Sequence, residues 1–206
     1  QRARVVADKI AVEQEGLRDA LGLGLLHVGQ FQAPLAAVAE QALEQGRVMP
    51  TNNDDVITGG PAGETIDALG GADFVDGAGG NDSLLGNAGA DTLYGGAGVD
   101  TLRGGLDNDV ISGDTATDNS PDFLDGGPGN DVLFYRSFTV AGVSASLTTQ
   151  RATISGVIDT IIGFEFIEGS QFADTLEGEA GDNLIDGWIG NDTVRGLGGV
   201  RGVAGG

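Results

Sequence analysis

The chain has 206 residues, of which 38 are glycine, 31 are Asp or Glu and ten are Lys or Arg, so its formal net charge is −21. A chain this acidic repels nucleic-acid phosphates and anionic membranes, and the absence of cysteine excludes disulfides and thiolate metal sites. A single histidine, His27, cannot build an HExxH zinc site, no Walker lysine or GxSxG elbow is present, and no apolar run is long enough to span a bilayer.

Residues 1–50 read as a helical region. Val6, Ile10, Leu17 and Leu21 fall near one face of a first helix, which Gly22 and Gly24 end. Pro34 suits the first turn of a second helix. Leu35, Val38, Ala39, Ala42 and Leu43 form its apolar face, and Gly46 stops it. Each apolar stripe needs a partner. Two readings stand: the helices pack on each other and cap the next domain, or they dock onto a surface or drive self-association.

Composition changes near residue 50. Residues 1–50 hold six acidic and five basic residues, against 25 and five in 51–206, where 33 of the 38 glycines also lie. This second region has an internal period. Acidic residues recur every nine positions at Asp55, Glu64, Asp73, Asp82, Asp91, Asp100 and Asp109. The phase resumes at Asp122 and Asp131, and again at Asp174, Asn183 and Asp192, before a decayed copy at Arg201. Two positions after each anchor stands a large aliphatic residue: Ile57, Ile66, Val75, Leu84, Leu93, Leu102, Ile111, Leu124, Leu133, Leu176, Ile185 and Val194. Glycines precede the anchors, as in Gly95-Gly96-Ala97-Gly98-Val99-Asp100-Thr101-Leu102-Arg103.

The chemistry of this unit is readable from its residues. Glycine admits positive φ, so the chain turns tightly and exposes carbonyl oxygens. An aspartate at the end of the turn adds a carboxylate. Oxygen donors without nitrogen or sulfur suit a hard cation such as Ca²⁺. The three residues around the aliphatic position form a short strand with that side chain inward. One buried aliphatic per nine ordered residues is little against the conformational entropy lost, and stacked carboxylates repel. Folding is therefore expected to be coupled to cation binding.

The copies resemble the RTX nonapeptide GGxGxDxUx, through residues 51–133 and 173–203. The resemblance implies a mainly β fold, a right-handed parallel β-roll or β-solenoid with two nonapeptides per turn. It implies several Ca²⁺ ions between turns, held by Asp82, Asp91, Asp100, Asp109, Asp131 and Asp192. Asp73, Asp122 and Asp174 join them, although their preceding loops depart from the glycine pattern. Loop carbonyls at Gly80, Gly89, Gly96, Gly98, Gly105, Gly127, Gly129 and Gly190 complete the ligands. Glu64 and Asn183 replace the anchor aspartate, and Arg201 abolishes it.

Two insertions interrupt the array. In Gly113–Pro121, Asp114 and Asp118 read as part of a solvated loop, the alternative being a further cation site. In 134–172, Val143, Ala145 and Leu147 alternate with Ser144 and Ser146 as a strand, and Ile154, Ile158, Ile161, Phe164 and Ile167 continue an apolar pattern. This segment is expected to form wider β rungs within one continuous solenoid. The Asn81-Asp82-Ser83 and Asn191-Asp192-Thr193 sequons are by-products of the repeat. The resemblance implies no enzyme, but a calcium-binding extracellular protein, secreted or on the cell surface. Its solenoid folds on Ca²⁺ after type I secretion and serves a structural, surface-layer or adhesive role. The alternative is a C-terminal secretion and stability module of a larger type I-secreted enzyme or toxin, with the catalytic domain before Gln1.

Overall fold

The computed structural model of the chain describes residues 50–114, 120–136, 141–198 and 202–204. The chain divides between Met49 and Pro50, and the described residues lie in the second unit. The helices expected in 1–50 lie outside them. So does most of the Gly113–Pro121 insertion, including Asp118.

The nonapeptides alternate between two stacked sheets. One has eight strands, all parallel: β1 (Val56–Thr58), β3 (Phe74–Asp76), β5 (Thr92–Gly96), β7 (Val110–Asp114), β9 (Val132–Phe134), β13 (Phe166–Glu168), β15 (Leu184–Asp186) and β17 (Gly202–Ala204). The other has nine. It contains β2 (Thr65–Asp67), β4 (Ser83–Ala88), β6 (Thr101–Leu106) and β8 (Phe123–Asp125) on one side. β14 (Thr175–Glu177) and β16 (Thr193–Arg195) lie on the other. This is a parallel β-solenoid, as the nonapeptide predicts, and no helix occurs among the described residues.

Register puts like on like. Ile57, Val75, Leu93, Ile111, Leu133, Ile167 and Ile185 form one inward row across the first sheet. Ile66, Leu84, Leu102, Leu124 and Ile161 form the facing row. All of these are buried, and Val194 packs half-buried against the same core. A strand flanked by tight turns has one inward position in three, so one aliphatic per repeat fills the space between the sheets.

Residues 134–172 depart from the expected wider rungs. Within them an antiparallel meander lies inside the second sheet, β10 (Val143–Ser146), β11 (Arg151–Ile154) and β12 (Val157–Ile162), whereas β13 continues the parallel first sheet. β10 pairs parallel with β14, and β12 pairs parallel with β8. The chain thus lays its first strand against the later block and zigzags back to the earlier one. A continuing spiral would place one strand here, so the second sheet is wider by two strands, about 10 Å. Val143, Ala145, Ala152, Ile154 and Ile161 face inward and are buried. Ile158 is exposed instead, because Asp159 and Ile161 take the inward positions of β12.

Candidate metal centre

The sequence that builds each turn also fixes its anchor. In the Asp91 turn, Asn87 and Gly89 both have positive φ, at 75° and 124°. The same two places, four and two residues before the anchor, carry positive φ at Ala78 and Gly80, Gly96 and Gly98, Gly105 and Asp107, and Trp188 and Gly190. Gly127 shares this, whereas Gly129 does not. At Ala78 and Trp188, where the first place is not glycine, an aspartate two residues earlier supports the left-handed backbone. Asp76 accepts the Ala78 N–H at 3.0 Å, and Asp186 the Trp188 N–H at 2.9 Å.

The anchors clasp successive turns. The Asp91 N–H donates to Asp109 Oδ1 at 2.8 Å, and the Asp91 carbonyl accepts from Val110 N at 2.8 Å. The same bond joins Asp55 to Asp73, Asp73 to Asp91 and Asp109 to Asp131 in one column. It joins Glu64 to Asp82, Asp82 to Asp100 and Asp100 to Asp122 in the other. After the meander, Asp174 donates its N–H to Asp192 Oδ1 at 3.0 Å.

Two members of these columns stand outside the nonapeptide series. Asp122 donates its N–H to Asp159 Oδ1 at 2.9 Å, and Asp131 to Glu165 Oε2 at 2.9 Å. Asp159 and Glu165 therefore extend the two columns by one acceptor each. Their signal is in the sequence: Glu165 lies nine residues before Asp174, and both stand two residues before a core isoleucine, Ile161 or Ile167. A second missed set is the glycine five residues before an anchor. At Gly95, a Cβ would lie 2.6 Å from Asp100 Oδ2 and 2.7 Å from Gly113 O. The position must stay bare because the anchor carboxylate folds back over it.

With Oδ1 engaged, the second oxygen decides the electrostatics. Oδ2 of Asp73, Asp82, Asp91, Asp109, Asp131 and Asp192 is buried without a hydrogen-bond partner. Burial pushes Asp91 and Asp131 up to about 6 and Asp109 to about 7, with neighbouring carboxylates adding to the rise. Burial raises Asp73 and Asp82 as well. Buried carboxylate oxygens facing no donor, set in turns rich in carbonyls, fit a hard cation with oxygen ligands. Among the described residues no group of three or more Asp, Glu, His or Cys side chains could hold a metal. An ion here would draw most of its ligands from the backbone. No helix among the described residues is long and apolar enough to cross a membrane.

Parallel stacking, one acidic turn per nonapeptide and oxygen-only donors define a repeat-built, cation-binding solenoid. The chain belongs to the family of RTX calcium-binding nonapeptide repeats. Its sequence model matches residues 51–84, 76–111, 85–119, 116–137 and 168–200. A search of curated proteins finds no match to the chain.

Proposed function

We propose that the chain is a calcium-dependent structural module that acts outside the cell, in a surface layer or as an adhesive element, and that its solenoid folds on binding Ca²⁺. In this reading Asp73, Asp82, Asp91, Asp100, Asp109, Asp122, Asp131 and Asp192 supply the carboxylates. The carbonyls of Gly80, Gly89, Gly96, Gly98, Gly105, Gly127, Gly129 and Gly190 lie in the same turns. The single observation that carries it is the row of buried Oδ2 atoms with no donor. Such oxygens destabilise the fold until a cation meets them. Folding that waits for millimolar calcium suits a protein exported unfolded from a calcium-poor cytosol. The anchor carboxylates hold successive turns together, which supports a scaffold role.

Circular dichroism in EGTA and then in millimolar Ca²⁺ tests this. The β spectrum is expected only with calcium. The same β spectrum in both conditions would sink the proposal.

A further inference from the structure

Not all anchors leave an oxygen for a cation. Asn183 is buried, with 1% of its surface exposed, and its side-chain NH₂ donates to the carbonyls of Glu179 at 2.9 Å and Gly181 at 2.8 Å. Its Oδ1 accepts the Glu179 N–H at 3.3 Å. Glu179 and Gly181 stand four and two residues before the anchor. Those are the places of Gly105 and Asp107 in the Asp109 turn. An ionised carboxylate has no hydrogen to offer such carbonyls, so a cation between them suits both. The amide does it from within the chain.

The turn before is closed by a different device. Asp174 is also buried, yet Ser170 N donates to its Oδ2 at 2.7 Å and Ser170 Oγ to its Oδ1 at 2.8 Å. Both oxygens are met by protein donors. At the other end, Thr51 donates its N–H at 2.6 Å and its hydroxyl at 2.9 Å to Asp55 Oδ2. Gly60 N donates to Glu64 Oε2 at 2.9 Å.

We infer that Asn183 takes the place of a cation in its turn and that Ser170 does so for Asp174, leaving two consecutive turns that close without calcium. The inference rests on the calcium reading above. Calcium then belongs to the turns ending at Asp73, Asp82, Asp91, Asp109, Asp131 and Asp192, whose Oδ2 atoms meet no donor. The pair ending at Asp174 and Asn183 is a rung the chain completes from its own atoms. Asp174, grouped with the ligands by the repeat alone, leaves that set.

Counting bound calcium per chain by native mass spectrometry at millimolar Ca²⁺ tests this on the full chain. Asn183→Asp is expected to bind one ion more than wild type. Asp109→Asn is expected to bind at least one fewer and to hold more structure in EGTA, since an amide replaces a buried charge. At calcium concentrations that fill only part of the sites, hydrogen exchange is expected to be slower over 168–186 than over 83–111. A wild type that binds no calcium overturns the functional proposal itself. A wild type that binds calcium while Asn183→Asp gains no ion overturns this inference alone. So does equal exchange in the two segments.

Discussion

At the scale of single residues, the columns are pairs of demands met by one carboxylate. One oxygen takes an amide of the preceding turn, which pulls the pKa down; burial pushes it up more strongly, and the neighbouring charge adds to the rise. The net upward shift sets a pH dependence. A carboxyl with a raised folded-state pKa stabilises the fold when protonated, and that contribution is lost as pH rises through the folded value. For Asp91, Asp109 and Asp131 the window lies near pH 6 to 7. In EGTA, acidification from pH 8 to 5.5 is therefore expected to increase β structure. The calcium midpoint is expected to move to higher concentration over the same interval, because protons compete for the same oxygens. Titrations followed by circular dichroism at both pH values check the pair, and a midpoint independent of pH would contradict the assignment of these oxygens as ligands.

At the scale of elements, the meander shows what a repeat can and cannot announce. Asp159 takes the Asp122 N–H as the next anchor would, so the column crosses from β8 to β12 unbroken. Removing that acceptor in Asp159→Ala is expected to cost about 1–3 kcal/mol, the range for leaving a buried donor unmet. Asp159→Asn keeps the acceptor and discards a charge whose pKa burial has raised to about 6, so above that pH it is expected to be neutral or stabilising. Denaturant unfolding of both variants in saturating calcium separates them, and equal damage would show that the acceptor is not what matters. The nine-residue phase makes the parallel rungs and their core row legible, because anchor and aliphatic position are both local. It also holds Glu165, in phase with Asp174 but hidden by the missing glycines before it. The strand at Val143–Ser146 is legible from alternation. Its pairing with β14 rather than β8 is not, since the choice of neighbour is made between segments 31 residues apart, such as Ser144 and Thr175. The self-closing of Asn183 needs the turn's three-dimensional form, for in the sequence that position shows only a lost carboxylate.

At the scale of the whole molecule, a net charge of −21 admits two accounts of why calcium is needed. Calcium could act as diffuse counter-charge, or as a ligand-bound ion in each turn. Neighbouring rungs lie about 4.8 Å apart, where two carboxylates repel by about 3 kcal/mol at an effective dielectric of 20. In 1 M NaCl the screening length falls to about 3 Å, which weakens repulsion between exposed charges. It does nothing for an oxygen that solvent cannot reach, and Asp91, Asp109 and Asp131 are at most 1% exposed. Salt therefore leaves the buried terms standing. Mg²⁺ is a sharper control. It carries the same charge but demands near-ideal octahedral geometry and gives up water reluctantly, so glycine turns that offer carbonyls at varied angles suit it poorly. One molar NaCl and millimolar Mg²⁺ are each expected to leave the EGTA-treated chain without its β spectrum, which millimolar Ca²⁺ restores. If NaCl alone restores the spectrum, long-range repulsion was the whole obstacle. The buried oxygens would then be bystanders rather than ligands.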